Sequence, residues 1–215
     1  MQLFSPGATT LFRVVLTLIP LTIAGIGALV YAWSRSGAAW DVGKPAQQPI
    51  PFRHDVHAGS LRIDCRYCHA AVERSASAGM PAATTCMSCH SQVWAGASVL
   101  EPLRSSIELN QAISWNSVHR LPDYAYFHHG AHVAKGVACE TCHGRVDQMT
   151  RTVKVNRLSM GWCLDCHREP AAQLRPRDSV FAMGWNPTAG SPSEPPKPFS
   201  HADVRLLTSC STCHR

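Results

Sequence analysis

All ten cysteines of this 215-residue chain fall in five Cys-x-x-Cys pairs, and a histidine follows each pair at once. The motifs are Cys65-x-x-Cys68-His69, Cys86-x-x-Cys89-His90, Cys139-x-x-Cys142-His143, Cys163-x-x-Cys166-His167 and Cys210-x-x-Cys213-His214. This spacing serves covalent attachment of haem c. Two thiols add across the two vinyl groups of one porphyrin, and the next residue supplies an axial nitrogen to its iron. The expected cofactors are five covalently bound haem c groups. Their proximal ligands are His69, His90, His143, His167 and His214.

Other uses of paired cysteines fit less well. A zinc ribbon pairs Cys-x-x-Cys, but tetrahedral zinc does not call for His directly after each pair. A thioredoxin-like motif would occur once, beside a βαβ pattern. Histidine fills 12 of 215 positions, so five of five by chance lies below about one in a million. In some multihaem reductases Lys replaces this His at the open substrate haem, and none of the five motifs has it.

A repeat supplies partners for the far side of each iron. Phe52-x-His54-x-x-His57 precedes the first motif, Phe127-x-His129-x-x-His132 the third, and Phe199-x-His201-x-x-Val204 the fifth. The pattern is a two-haem module, its copy, and a truncated one-haem copy. Histidines at i and i+3 on a helical turn point the same way and can serve two neighbouring haems, while the Phe can pack on a porphyrin face. The repeat thus gives five distal candidates for five irons: His54, His57, His129, His132 and His201. The first His of each copy is assigned to the haem that follows it, so His54 goes with His69, His129 with His143 and His201 with His214. His57 and His132 cross over to the other two haems, either way round. His128 is expected on the surface. His119, Met160 and Met80 are reserve distal ligands, a Met being the choice that would raise a haem's potential.

The elements that must position these groups follow from the rest of the chain. Val14 to Trp33 is twenty residues without a charge, bounded by Arg13 and Arg35, the length of a bilayer span. It exceeds the apolar core of a cleaved signal peptide. Residues 1–33 are therefore read as an uncleaved anchor, with a transmembrane helix over about 12–33, and residues 34–51 as a polar tether. A four-haem region of two modules covers 52–185, a Pro-rich arm 186–198, and a fifth-haem module 199–215. So few residues per haem leave no room for a conventional apolar core, and the porphyrins must be the core. Glu101 to Ile113 is the best helix outside the motifs, with Leu103, Ile107 and Gln111 on one side. The formal charge of +6 offsets ten haem propionates, so no nucleic-acid partner is expected.

The Phe-x-His-x-x-His/Cys-x-x-Cys-His pattern resembles the class III (c3/c7-type) multihaem cytochromes. That resemblance implies a mostly irregular and α-helical multihaem fold with one N-terminal transmembrane helix. The segments Trp115 to Asp123, Phe127-His128-His129 and Met160-Gly-Trp-Cys163 to Arg168 narrow it. With these, the chain resembles the pentahaem cytochrome c subunits of bacterial alternative complex III, a quinol:electron acceptor oxidoreductase. The resemblance implies an iron–sulfur subunit related to molybdopterin enzymes, polytopic quinol-binding subunits and a monohaem cytochrome c as partners. It also implies electrons from menaquinol passing towards a periplasmic carrier. Haem attachment takes place outside the bacterial cytoplasmic membrane, so a single-pass chain with its haem domain on the periplasmic face is expected.

Three functions compete at this level. An electron-transfer subunit with no substrate site of its own fits a chain with enough His for every iron. A multihaem reductase needs one open iron. A stand-alone quinol dehydrogenase of the NapC/NrfH type also has one helix and several haems, but needs a quinol pocket at a haem near the membrane. The first reading is the one adopted.

Overall fold

The computed structural model describes residues 5–186 and 199–214. Two units are separated between Val42 and Gly43. Among the described residues there is no β-strand, only short helices and three isolated bridges. The fold is mostly helical and irregular, as the resemblance to the c3/c7-type cytochromes implies.

The first unit is a long helix, α1 (Pro6–Arg35), followed by a turn at Gly37–Trp40. It begins some six residues before the expected start at about residue 12. Ser5 caps it by accepting the Ala8 N–H, and Pro6 fills the first turn, where a missing N–H costs nothing. Its apolar side chains point outward along the whole helix, none of them buried. This face, 30 residues long, is long and apolar enough to cross a membrane. Pro20 is tolerated inside it. Arg35 closes the last turn with its guanidinium over the Tyr31 ring.

The second unit, Gly43–Arg215, carries every Cys-x-x-Cys-His motif. Each motif winds into a turn of helix: α2 (Cys65–Cys68), α3 (Ala83–His90), α6 (Cys139–His143), α7 (Met160–Arg168) and α9 (Cys210–Cys213). Between them lie α4 (Glu101–Glu108), α5 (His129–Ala134) and α8 (His201–Leu207). Such short helices gain from caps, and several have them. Asp64 accepts the Arg66 N–H at α2, Ser159 that of Trp162 at α7, and Ser200 forms a capping box with Asp203 at α8. The Arg66 guanidinium also holds the Asp64 carboxyl below the usual carboxylate range.

Side chains alone build little core. Six hydrophobic residues are buried among those described. Three of them, Ile50, Leu100 and Leu103, form a cluster with Cys86, Met87 and Trp115 against the second motif. A unit of this size would ordinarily bury far more, so the expectation that another group supplies the packing surface suits what the side chains do.

Two elements differ from the expectations. The helix foreseen over Glu101–Ile113 stops at Glu108 because Asn110 turns left-handed (φ 50°) and the chain folds back, with the Gln111 N–H bonding the Ser106 carbonyl. Leu103 is buried, but Ile107 is exposed. The stretch 34–51 read as a tether is divided. From Gly43 onward it packs on the second unit, through Gly43 N–H to the Lys154 carbonyl, a Pro45–Val153 bridge and the buried Ile50. Nearly all of the Pro-rich arm lies outside the described residues.

Candidate haem centres

Within each motif the two Cys and the His stand at i, i+3 and i+4, so one helical turn carries all three on one face. The imidazoles are then oriented from behind. His69 Nδ1 donates to the Gly79 carbonyl (2.8 Å), His90 to Val93 (2.9 Å), His167 to Leu207 (2.9 Å) and His214 to Tyr124 (3.0 Å). Such a bond fixes the tautomer and leaves Nε2 with its lone pair free for a metal. His143 instead meets a side chain: its Nδ1 lies 3.3 Å from His119 Nε2.

The repeat histidines are held the same way. His57 Nδ1 donates to the Arg53 carbonyl (2.8 Å), His129 to Ala76 (2.7 Å) and His132 to His128 (2.9 Å), while His54 Nδ1 and the Thr152 hydroxyl share a bond of 2.9 Å. Ala76 and Gly79 belong to one short loop, so residues 76–79 orient His69 of the first motif and His129 of the second repeat together. Phe52 and Phe127 do the same work in each copy. Each stacks on the second His of its repeat (4.4 and 4.5 Å, tilted 25° and 27°) and sets its edge to the first (4.8 and 4.7 Å, 83° and 89°). The Phe of each full copy thus supports both of its repeat imidazoles.

Three pairs of rings oppose one another at nearly one separation. His57 faces His90 with centroids 6.2 Å apart, His129 faces His143 at 6.3 Å, and His132 faces His167 at 6.1 Å. Metal–imidazole bonds of about 2 Å put two opposed nitrogens about 4 Å apart across one iron, with the ring centres somewhat beyond. The observed separations suit that arrangement. Burial first, then His69 and His57, push His54 down to about 4, and burial followed by the surrounding histidines pushes His143 down to about 3. Both therefore stay neutral, the form that ligates a metal.

The remaining candidates are not among these three ring pairs. Met80 and Met160 are exposed, and the His rings facing His90 and His167 are His57 and His132. His119 meets the Nδ1 edge of His143 rather than the edge that would face an iron. His128 is exposed, and it caps α5 by accepting the Ala131 N–H. His201 stands exposed at the start of α8. The role of His119 was not legible in its own segment, since only the fold brings residue 119 to residue 143.

The motifs also have a spatial order. Tyr67 and Ser88 hydroxyls bond at 2.6 Å between the first and second motifs, and the Cys68 thiol is raised by burial and then by Cys86. The segment after the first motif meets the second repeat, the Ser75 and Ala76 carbonyls accepting the Gly130 and His129 N–H groups (3.1 and 3.3 Å). Burial, then Cys166 and Cys163 of the fourth motif, push Cys142 up to about 12. Burial and then Cys213 of the fifth raise Cys163. The fifth motif docks on the segment preceding the second repeat, with Tyr126 N–H to the Cys213 carbonyl (2.7 Å) and an Ala125–His214 bridge. The neighbours therefore run second, first, third, fourth, fifth.

Among the described residues no three or more His, Cys, Asp or Glu side chains converge as a chelating set for a bare metal ion. Thiols paired on one turn and imidazoles opposed across a gap fit haem c instead. Comparison with known proteins agrees. Residues 125–215 match the family described as cytochrome c7 and related cytochrome c. The chain is 30% identical over 126 residues to the menaquinone reductase, multihaem cytochrome c subunit, of Nitratidesulfovibrio vulgaris (strain Hildenborough). The match covers 58% of this chain and 58% of that relative's length. Residues 125–215 are thus similar to the c7-like multihaem cytochromes, and the paired cysteines of the mostly helical, irregular second unit suit covalently bound haem c.

Proposed function

We propose that this chain is a membrane-anchored, five-haem electron-transfer subunit of a quinol-linked oxidoreductase, with no substrate site of its own. The observation that carries the reading is the set of opposed imidazole rings 6.1–6.3 Å apart. A haem with His on both faces carries single electrons between ferric and ferrous iron and leaves no position for a substrate. In this reading His57 pairs with His90, His129 with His143 and His132 with His167. By repeat position His54 pairs with His69 and His201 with His214.

The protein's part is to hold ligands and order the sites. The i, i+3 histidines of each full repeat copy tie two neighbouring sites to one turn. The contacts of Tyr67 with Ser88, His129 with Ala76, Asn156 with Thr141 and Cys142, and His167 with Leu207 set the order in which the sites neighbour one another. The second and fifth motifs are then the two ends, where partners would deliver and collect electrons.

The quinol link rests on the resemblance to alternative complex III subunits, on the relative's being a menaquinone reductase subunit, and on the apolar span of α1. It implies a molybdopterin-enzyme-like iron–sulfur subunit, polytopic quinol-binding subunits and a monohaem cytochrome c as partners, with the haem region on the outer face of the membrane. Electrons would pass from menaquinol towards a periplasmic carrier. The relative's name favours a second reading in which the same sites pass electrons towards quinone.

The test is to solubilise native membranes in mild detergent, isolate the assembly carrying this chain and identify its partners by mass spectrometry. Co-purification of iron–sulfur and polytopic subunits supports the complex. Recovery of the cytochrome alone, or with a soluble reductase only, would replace it with the stand-alone quinol dehydrogenase. In the isolated complex, haem reduction by a menaquinol analogue, against quinone reduction by a reduced carrier, separates the two directions.

A further inference from the structure

Nine of the histidines assigned to iron have an identified partner for Nδ1. Seven use a backbone carbonyl and His54 uses a hydroxyl. His143 uses His119, at 3.3 Å, with the two rings edge to face (81°, centroids 4.3 Å). For His143 to present Nε2 to an iron, its Nδ1 must carry the hydrogen. His119 Nε2 is then the acceptor.

Two consequences follow from ordinary imidazole chemistry. An imidazole nitrogen is a more basic acceptor than an amide carbonyl, so it draws the Nδ1 hydrogen more strongly and makes His143 the better electron donor. A better donor favours ferric over ferrous iron. The edge-to-face contact also fixes the rotation of the His143 ring. Its plane lies 7° from that of His129, whereas the other two opposed pairs are tilted by 29° and 56°.

We propose that His119 is a positioning residue for the third-motif haem, holding His143 parallel to His129 and lowering that haem's reduction potential below the value a carbonyl partner would give. The proposal rests on the reading that His129 and His143 ligate one iron. It places the tuned haem at the centre of the second–first–third–fourth–fifth order, where a lowered potential slows electron passage in a way that changes with this residue.

The experiment is a spectroelectrochemical titration of the purified full-length cytochrome, with low-temperature EPR, for wild type, His119→Leu and His119→Gln. Removing the acceptor in His119→Leu should raise one midpoint potential and alter the g values of one low-spin signal, with haem content and the other signals unchanged. His119→Gln, which keeps an accepting oxygen, should return both readouts towards wild type. If the leucine variant does not accumulate, His119→Phe keeps the ring and should give the same upward shift. Unchanged midpoints and g values in a fully loaded variant would overturn the proposal, as would a downward shift. A high-spin, carbon monoxide-binding haem in His119→Leu would make His119 itself an iron ligand. A high-spin haem already present in wild type would instead strike at the underlying ligand reading.

Discussion

At the scale of single residues, the chemistry rests on imidazoles whose two nitrogens have separate tasks. Nδ1 is spent on a carbonyl, a hydroxyl or another ring, and Nε2 is left for iron. The pairing that spacing leaves open has a proposed direction, since the His57 ring lies 6.2 Å from that of His90 and the His132 ring 6.1 Å from that of His167. His57→Ala should therefore open the haem of the second motif, and His132→Ala that of the fourth. Each variant should keep its five haems while one becomes high-spin and binds carbon monoxide, as read by absorption and EPR. Combining each with loss of one attachment pair (Cys86 and Cys89, or Cys163 and Cys166, to Ala) checks the assignment, because the new carbon monoxide band should vanish only when the matching motif is removed. The Cys and proximal His positions are legible from the sequence because covalent attachment imposes a rigid local spacing. The Nδ1 partners are not, because most are carbonyls, which every residue has.

At the scale of elements, the two full repeat copies reach the same ring geometry by different windings. The first copy has eight residues from His57 to Cys65, and Asp55–Ser60 winds as a π-helix. The second has seven from His132 to Cys139, and His129–Ala134 is an α-helix. A π turn takes up an extra residue without unwinding the helix, which accounts for the difference in spacing. Both copies need glycine where they press on backbone. A Cβ at Gly59 would stand 2.3 Å from the Asp147 carbonyl oxygen, and one at Gly130 would stand 2.7 Å from that of Glu73. Gly130→Ala must push α5 off the 73–76 segment that orients His129. It should cost about 1–3 kcal/mol, seen as a lower thermal midpoint together with a changed EPR signal for the third-motif haem. Leu103→Ala, deep in the cluster beside Cys86, should cost about 2–5 kcal/mol and leave the haem signals in place. The repeat was legible because it recurs in residue type. The early stop of α4 was not, because a single left-handed Asn110 ended a pattern whose apolar spacing continues to Ile113.

At the scale of the whole molecule, the chain divides into an apolar helical unit and a haem-binding unit. Replacing residues 1–42 with a cleavable export signal should release a water-soluble cytochrome whose absorption spectrum and haem-to-protein ratio match those of the full chain. The order of sites, second before first, could not be read from sequence, since chain order and spatial order part wherever a segment returns across an earlier one. Clasping of the fifth motif by Tyr124 to Tyr126 is such a return. The central claim, that each of five haems is held between two histidines and serves only to carry electrons, is tested most directly by one preparation of the oxidised full-length protein. Haem content by pyridine haemochrome, low-temperature EPR and carbon monoxide binding would be measured on the same sample. The account predicts five haems per chain, low-spin signals only, and no carbon monoxide adduct on reduction. A high-spin signal, or a haem that takes up carbon monoxide, would contradict it and move the chain towards the reductases.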